Sequence, residues 1–278
     1  IEFRKKAKMG VKEVEAIKEE IRDIIERYLE IEDVWGCVPY FANPVKGMLV
    51  ASDDDVCEAV KKLKDAWNIG EDGILSVTDL LESKNIKVVE IKADSSFDGL
   101  SGYVNNDENM PFVVVNKSFD VERLRFTGLH ELGHLVMNLP EEMEKKDKER
   151  LCNLFASEML ISRDIFVDVL GERRSDISLQ ELKVLQAVYG ISVDALMFKA
   201  KTVGVISESK YTSFCIRKNK SLAFKDAVER SSYRGVEQSS RFDRLVYRAL
   251  ASDMISCSKA AVLLNEPMEE VKNKLELV

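Results

Sequence analysis

The chain has 278 residues, of which 45% are hydrophobic, and a net charge of -8. That is enough apolar content for one large domain or two small ones, and the wrong charge for a broad electrostatic grip on nucleic acid, although a local basic patch would survive the average. No apolar run nears the roughly 18 residues of a membrane span and no signal segment opens the chain, so a soluble, cytoplasmic protein without a membrane partner is expected. The five cysteines, Cys37, Cys57, Cys152, Cys215 and Cys257, are scattered and form no CxxC pair, which argues against a disulfide framework and against a cysteine zinc cage.

The first residue is Ile1, in "IEFRKKAKMG", so the chain is expected to be a piece of a longer protein. From residue 11, Val14, Ile17, Ile21, Ile24, Ile25, Tyr28 and Leu29 recur at helical spacing among charged residues, which predicts a long amphipathic helix over 11 to about 32. "WGCVPYFANPVKG" (35–47) reads as a loop. Ser52 is placed to cap a second helix opened by Asp53, Asp54 and Asp55, whose charges suit the positive end of the helix dipole, and which stops near Gly70. A short helix at 77–84 precedes three strand candidates, 86–91, 100–104 and 112–116. Those strands imply a small sheet that is at least partly antiparallel.

Beyond Asp120 the pattern turns helical. One helix runs to Pro140, the charged connector "EEMEKKDK" follows, and a helix is expected from about Glu149 to Leu160. Ser178 with Glu181 signals a capping box, Ser192 a further N-cap, and "ISCSKAAVLLNEPMEEV" two short helices around Asn265 with Pro267 in a first turn. The fold class expected is α+β, mostly helical, with a small three-stranded sheet and helical flanks.

The only two histidines, His130 and His134, stand four residues apart in "FTGLHELGHLV" with Glu131 directly after the first. On a helix, residues i and i+4 share a face, so both imidazoles reach one metal ion while Glu131, a step around, addresses a water held there. Chance HExxH matches are common in helical proteins, but a chain with only two histidines has little chance of placing both at this spacing. Two neutral imidazoles suit Zn²⁺, and a catalytic zinc adds one protein ligand and keeps a position for water, whose pKa falls to about 7. Glu131 is then the general base of a peptide hydrolysis.

With no third histidine, the remaining ligand must be a carboxylate or, second in preference, Cys152. Glu149, Cys152, Asn153, Ala156 and Leu160 form one stripe of the following helix, which offers Glu149 to the metal and Asn153 to a metal-bound histidine. Glu141, Glu142 and Glu144 sit in the connector, and Glu158 shares a side with Leu151, Leu154 and Phe155, which read as core. A histidine that stabilises the oxyanion is also absent. Tyr103 and Arg125 are the candidates for that task, each against a structural role. "SGYV" and "FVVVN" offer an edge strand for a peptide, against ordinary pairing. "KYTSFCIRKNK" is weighed as a DNA contact against a solvated loop, and the loop is preferred.

"RFTGLHELGHLVMNL" followed by "ERLCNLFASEMLIS" resembles the ImmA/IrrE family of zinc metallopeptidases, and the likeness extends over at least 86–200 through "FDGLSGYV", "PFVVVN" and "LQELKVLQAVYGISVDAL". The resemblance implies a minimal thermolysin-like (gluzincin) core, with His130, His134 and Glu149 as zinc ligands and Glu131 as base. It departs at Ser162, where the family usually has proline, a change expected to loosen a helix end and not the site. It further implies three regions. Residues 1–48 would be a helical linker after an XRE-type helix-turn-helix absent from this chain, 49–205 the peptidase domain, and 206–278 a mainly helical regulatory region. The implied role is selective cleavage of a repressor that controls mobile-element or stress-response genes, with DNA reached through the absent domain. The competing expectation is a DNA-binding or antitoxin-like regulator whose zinc domain senses or binds a partner without turnover.

Overall fold

The computed structural model describes residues 11–36 and 40–275, so "FRKKAK" and Cys37 lie outside the described residues. Among the described residues the helices run α1 (Val11–Val34), α2 (Asp53–Trp67), α3 (Val77–Ser83), α4 (Val121–Val136), α5 (Lys145–Leu160), α6 (Arg163–Leu170) and α7 (Leu179–Tyr189). They continue with α8 (Val193–Val203), α9 (Glu208–Lys220), α10 (Leu222–Glu229), α11 (Arg241–Ala251), α12 (Cys257–Leu264) and α13 (Met268–Lys274). The strands are β1 (Lys87–Ile91), β2 (Gly99–Tyr103) and β3 (Pro111–Asn116). The α+β, mostly helical fold is therefore as expected. None of these helices is long and apolar enough to cross a membrane.

The chain divides into two compact units. One comprises Ile1–Ala42, Thr78–Ser118 and Gln238–Val278, the other Asn43–Val77 and Phe119–Glu237. Each unit draws on more than one of the three sequence regions set out above.

In the first unit, Ile17, Ile21 and Ile25 of α1 recur every four residues and pack on Val89, Ile91, Leu100, Phe112 and Val114 of the sheet. Strand order is β1-β3-β2, with β1 parallel and β2 antiparallel to β3, in a register that sets Val89 and Leu100 on either side of Val114. As the central strand, β3 has all six residues buried, which explains its unbroken apolar run. The expectation that "FVVVN" supplies an edge is thereby corrected; β1 and β2 are the edges of the sheet, so of the two candidates "SGYV" is the one on an edge. Farther along α1, Ile31 joins Val246, Leu250, Leu263 and Val271 in a second cluster built with α11, α12 and α13. Between the two clusters a buried Lys87 pairs with Glu32 at 2.9 Å, and Arg241 meets the same carboxylate at 3.3 Å. Burial pushes the Lys87 pKa down and Glu32 opposes that shift, the balance that makes a buried charge tolerable.

In the second unit, side-chain caps set the helix starts. Ser52 forms a capping box with Asp55, Ser178 one with Glu181, and Ser162 and Ser192 accept from Ile165 and Ala195. Ser162, the departure from the family pattern, thus begins α6 by capping it. Three expectations need correction. Helix α4 ends at Val136 rather than at Pro140, because Asn43 takes the Val136 carbonyl at 2.9 Å and Asn138 turns extended to bridge Leu49. Helix α5 begins at Lys145, which moves Glu149 from a first turn into a second. "KYTSFCIRKNK" belongs to helix α9, capped by Ser207 and anchored by the buried Phe214, and is not a loop. In the first unit, Asn265 is the left-handed C-cap of α12 and Pro267 the N-cap of α13, one step before the expected first turn.

One side chain organises the crossover from β1 to β2. Asn116, fully buried, donates to the carbonyls of Ala93 (3.0 Å), Asp94 (3.1 Å) and Phe97 (2.9 Å), and its Oδ1 accepts from the Ala93 and Ser118 amides. Asn116→Ala strands several of these groups away from water, and a loss of about 3 kcal/mol is expected in urea unfolding monitored by circular dichroism. A loss under 0.5 kcal/mol would show that the crossover is held otherwise.

Candidate metal centre

The site rests on the close approach of α4 and α5. At the fourth position of the HExxH motif stands Gly133, where an added Cβ would meet the Phe155 ring at 3.1 Å. Glycine costs a helix about 1 kcal/mol, and here its use is contact with the neighbouring helix. Cys152 and Ala156, both fully buried, continue the small-residue stripe that the sequence displayed.

Across this seam the side chains meet. His130 Nε2 lies 3.2 Å from Glu149 Oε2, His134 Nε2 lies 3.6 Å from Glu149 Oε1, and the two Nε2 atoms are 3.2 Å apart. The rings stand nearly perpendicular, at 80°. Exposure is 15% for the His130 side chain, 5% for His134 and 39% for Glu149, so the group opens to solvent on the carboxylate side.

The other ring nitrogens are engaged as well. His130 Nδ1 bonds Asn153 Oδ1 at 2.9 Å, and His134 Nδ1 meets Cys152 Sγ at 3.3 Å. An amide oxygen only accepts, so His130 carries its proton on Nδ1 and turns the Nε2 lone pair toward Glu149. In the matching tautomer of His134, with Nδ1–H toward the Cys152 sulfur, two lone pairs and a carboxylate face one another at van der Waals distance or less. That cluster of acceptors is repulsive unless a cation sits among them.

The separations suit zinc. Zn–N and Zn–O bonds of about 2.0–2.1 Å in a tetrahedron require ligand atoms about 3.3 Å apart; the two Nε2 atoms are 3.2 Å apart, and the carboxylate offers Oε2 at 3.2 Å from His130 and Oε1 at 3.6 Å from His134. Among the described residues these three form the one group of histidine, cysteine or acidic side chains close enough to hold a metal ion. Three protein ligands would leave a bound zinc one position for a substrate, as in catalytic rather than structural sites.

The remaining site candidates fall as follows. Glu131 follows His130 on α4 and is 9% exposed. Asn153 stands where the stripe placed it. The contact of Cys152 with His134 was not foreseen, since the stripe marked it as a small neighbour or an alternative ligand; its position three residues after Glu149 was the only available signal. Glu158 is buried with Lys199 and accepts from the Arg163 amide at 2.8 Å, away from metal duty. Tyr103 belongs to the first unit, at the end of β2, where burial and then the charge of Glu108 push its phenol pKa up.

Arg125 is corrected. It is fully buried, and its terminal nitrogens donate to Ile74 O (2.6 Å), Leu75 O (3.3 Å), Tyr189 O (3.3 Å), Tyr233 Oη (2.8 Å) and Glu237 Oε1 (2.5 Å). Those contacts spend the guanidinium on ordering protein chain, so it does not serve as an oxyanion donor. Gly190, at φ +60°, is needed here for a second reason, since a Cβ would fall 2.4 Å from Arg125 Nε.

The family model of the M78 peptidases, described as the IrrE N-terminal-like domain, matches residues 81–201. That stretch holds the whole sheet, α4 and α5. No curated protein matches the chain.

Replacing Arg125 by Met leaves Glu237 buried without its cation, a change expected to cost about 3–5 kcal/mol. Chemical denaturation of Arg125→Met checks it; unaltered stability would return Arg125 to the list of functional residues.

Proposed function

With residues 81–201 an M78, IrrE N-terminal-like peptidase domain, we propose that the chain is a zinc-dependent endopeptidase of the cytoplasm that cleaves a selected regulatory protein, a repressor in the first instance. The observation that carries the reading is the convergence of two Nε2 atoms and one carboxylate, with both Nδ1 atoms already in contact with a neighbouring side chain.

In this reading His130, His134 and Glu149 hold the zinc. Asn153 and Cys152 fix the two rings through Nδ1, which keeps Nε2 unprotonated and aimed. When bound, zinc supplies Lewis-acid chemistry, polarising a peptide carbonyl and acidifying water. Glu131 takes the proton of the attacking water on its carboxylate and returns it to the departing amine nitrogen. The choice of a regulatory substrate rests on the family resemblance and on the restricted cleavage it implies.

Co-expression with a candidate repressor, followed by mass spectrometry, tests the substrate. A discrete fragment is expected with the unmutated chain. Glu131→Gln should bind about one zinc and fold normally yet cleave slower by a factor of about 10² to 10⁴. Cleavage at the unmutated rate by that variant would remove Glu131 from the mechanism.

The ligand set is tested separately by zinc titration against a competing chelator. Glu149→Gln is expected to lose affinity by a factor of about ten or more, and Glu141→Gln, in the connector, to keep it. Full affinity in Glu149→Gln would mean that the third ligand lies elsewhere.

A further inference from the structure

Within the second unit, the turn before α7 together with α7, α8, α9 and α10 lines a half-open cavity of about 670 Å³, inside the range of about 300–1,000 Å³ that small-molecule sites occupy. Its base is apolar. Ile177, Leu182, Met197 and Phe214 are all buried yet line it, and Phe224 stands edge-on to Phe214 with ring centroids 5.9 Å apart.

Its mouth is charged and unevenly so. Three cations, Arg174, Lys210 and Arg217, face two carboxylates, Asp176 and Glu181. Both carboxylates are committed. Asp176 pairs with Lys210 and accepts from the Ile177 amide at 2.8 Å, while Glu181 pairs with Arg174 at 3.1 Å and accepts from the Ser178 amide at 2.8 Å. Arg217 differs. Its guanidinium carbon lies 4.0 Å from the centre of the Phe224 ring, and among the described residues no carboxylate comes within ion-pair distance of it. It acts on Asp176 only at longer range, adding to the larger effect of Lys210 in holding that carboxyl low.

A planar guanidinium stacked on an aromatic ring keeps its hydrogen-bonding edge for a ligand and pairs with a carboxylate through two parallel bonds. One uncommitted cation calls for one negative charge, and a phosphate dianion would need a second, which Lys210 and Arg174 have already given up. The apolar base calls for a hydrocarbon body. We propose that this cavity binds a small amphipathic carboxylic acid, with the carboxylate on Arg217 and an aryl or alkyl body against Phe214, Phe224 and Met197. The site is separate from the metal centre and does not depend on it.

The probes are 3-phenylpropionate and its uncharged amide, measured by isothermal titration on the full chain at moderate salt. The acid is expected to bind about ten-fold or more tightly than the amide, as a charge-assisted bidentate pair provides. Arg217→Gln should abolish that preference while leaving the weaker binding of the amide unchanged. Arg217→Lys, which keeps the charge without the fork, should retain only part of it. Arg217 is exposed, so both variants should fold, and a melting curve verifies that. Equal binding of acid and amide, an undiminished preference in Arg217→Gln, or no binding of either probe at millimolar concentration would each overturn the proposal.

Discussion

The seam between α4 and α5 is the constraint on which the rest of the site depends. A metal centre built from i, i+4 histidines on one helix and a carboxylate on another needs the two backbones nearer than ordinary side chains allow. Gly133 against Phe155, with Cys152 and Ala156 alongside, provides that approach. Once the helices are this close, Glu149, Cys152 and Asn153 reach the two imidazoles, and each ring is held at Nδ1 while Nε2 is presented. Because interiors are close-packed, a larger residue at 133 would displace the carboxylate as well as the helix.

Buried charge holds chain rather than doing chemistry at several points, two of which are networks. Arg125 gathers the carbonyls at 74, 75 and 189 with Tyr233 and Glu237, so the helix that bears the histidines is tied to three separate stretches of the second unit. In the first unit, Lys87, Glu32 and Arg241 join β1, α1 and the start of α11. Removing one partner of such a group leaves a charge away from water, which costs far more than an exposed ion pair contributes. The metal centre differs in kind. With His130 in the tautomer that Asn153 requires and His134 in the matching one, its groups are all acceptors, and they become mutually favourable only around a cation.

The cavity near α9 is a different use of the same materials. There, caps and ion pairs consume every acidic group at the mouth and leave one arginine over an aromatic ring. Excess charge of one sign beside an apolar base is a feature of recognition sites more than of solvated helix faces, whose charges are commonly mixed and paired.

Much of this was legible in the residues. The apolar period of α1, the serine caps at 52, 178 and 192, the three strands, and the His130, Glu131, His134 spacing follow from local rules: side-chain direction, dipoles and unsatisfied amides act within a turn or two of the chain. Glu149 and Asn153 were legible too, since a stripe on a helix is also local. Other features lay beyond local rules. The end of α4 was decided by partners distant in sequence, Asn43 and Leu49. The central place of β3 was set by strand order, and the burial of Arg125 by carbonyls 50 and 64 residues away. The contact of Cys152 with His134 Nδ1 required the actual separation of two helices. Local chemistry named the residues able to bind a metal; only tertiary packing decided which of their atoms face one another, because that depends on how closely distant segments of chain are brought together.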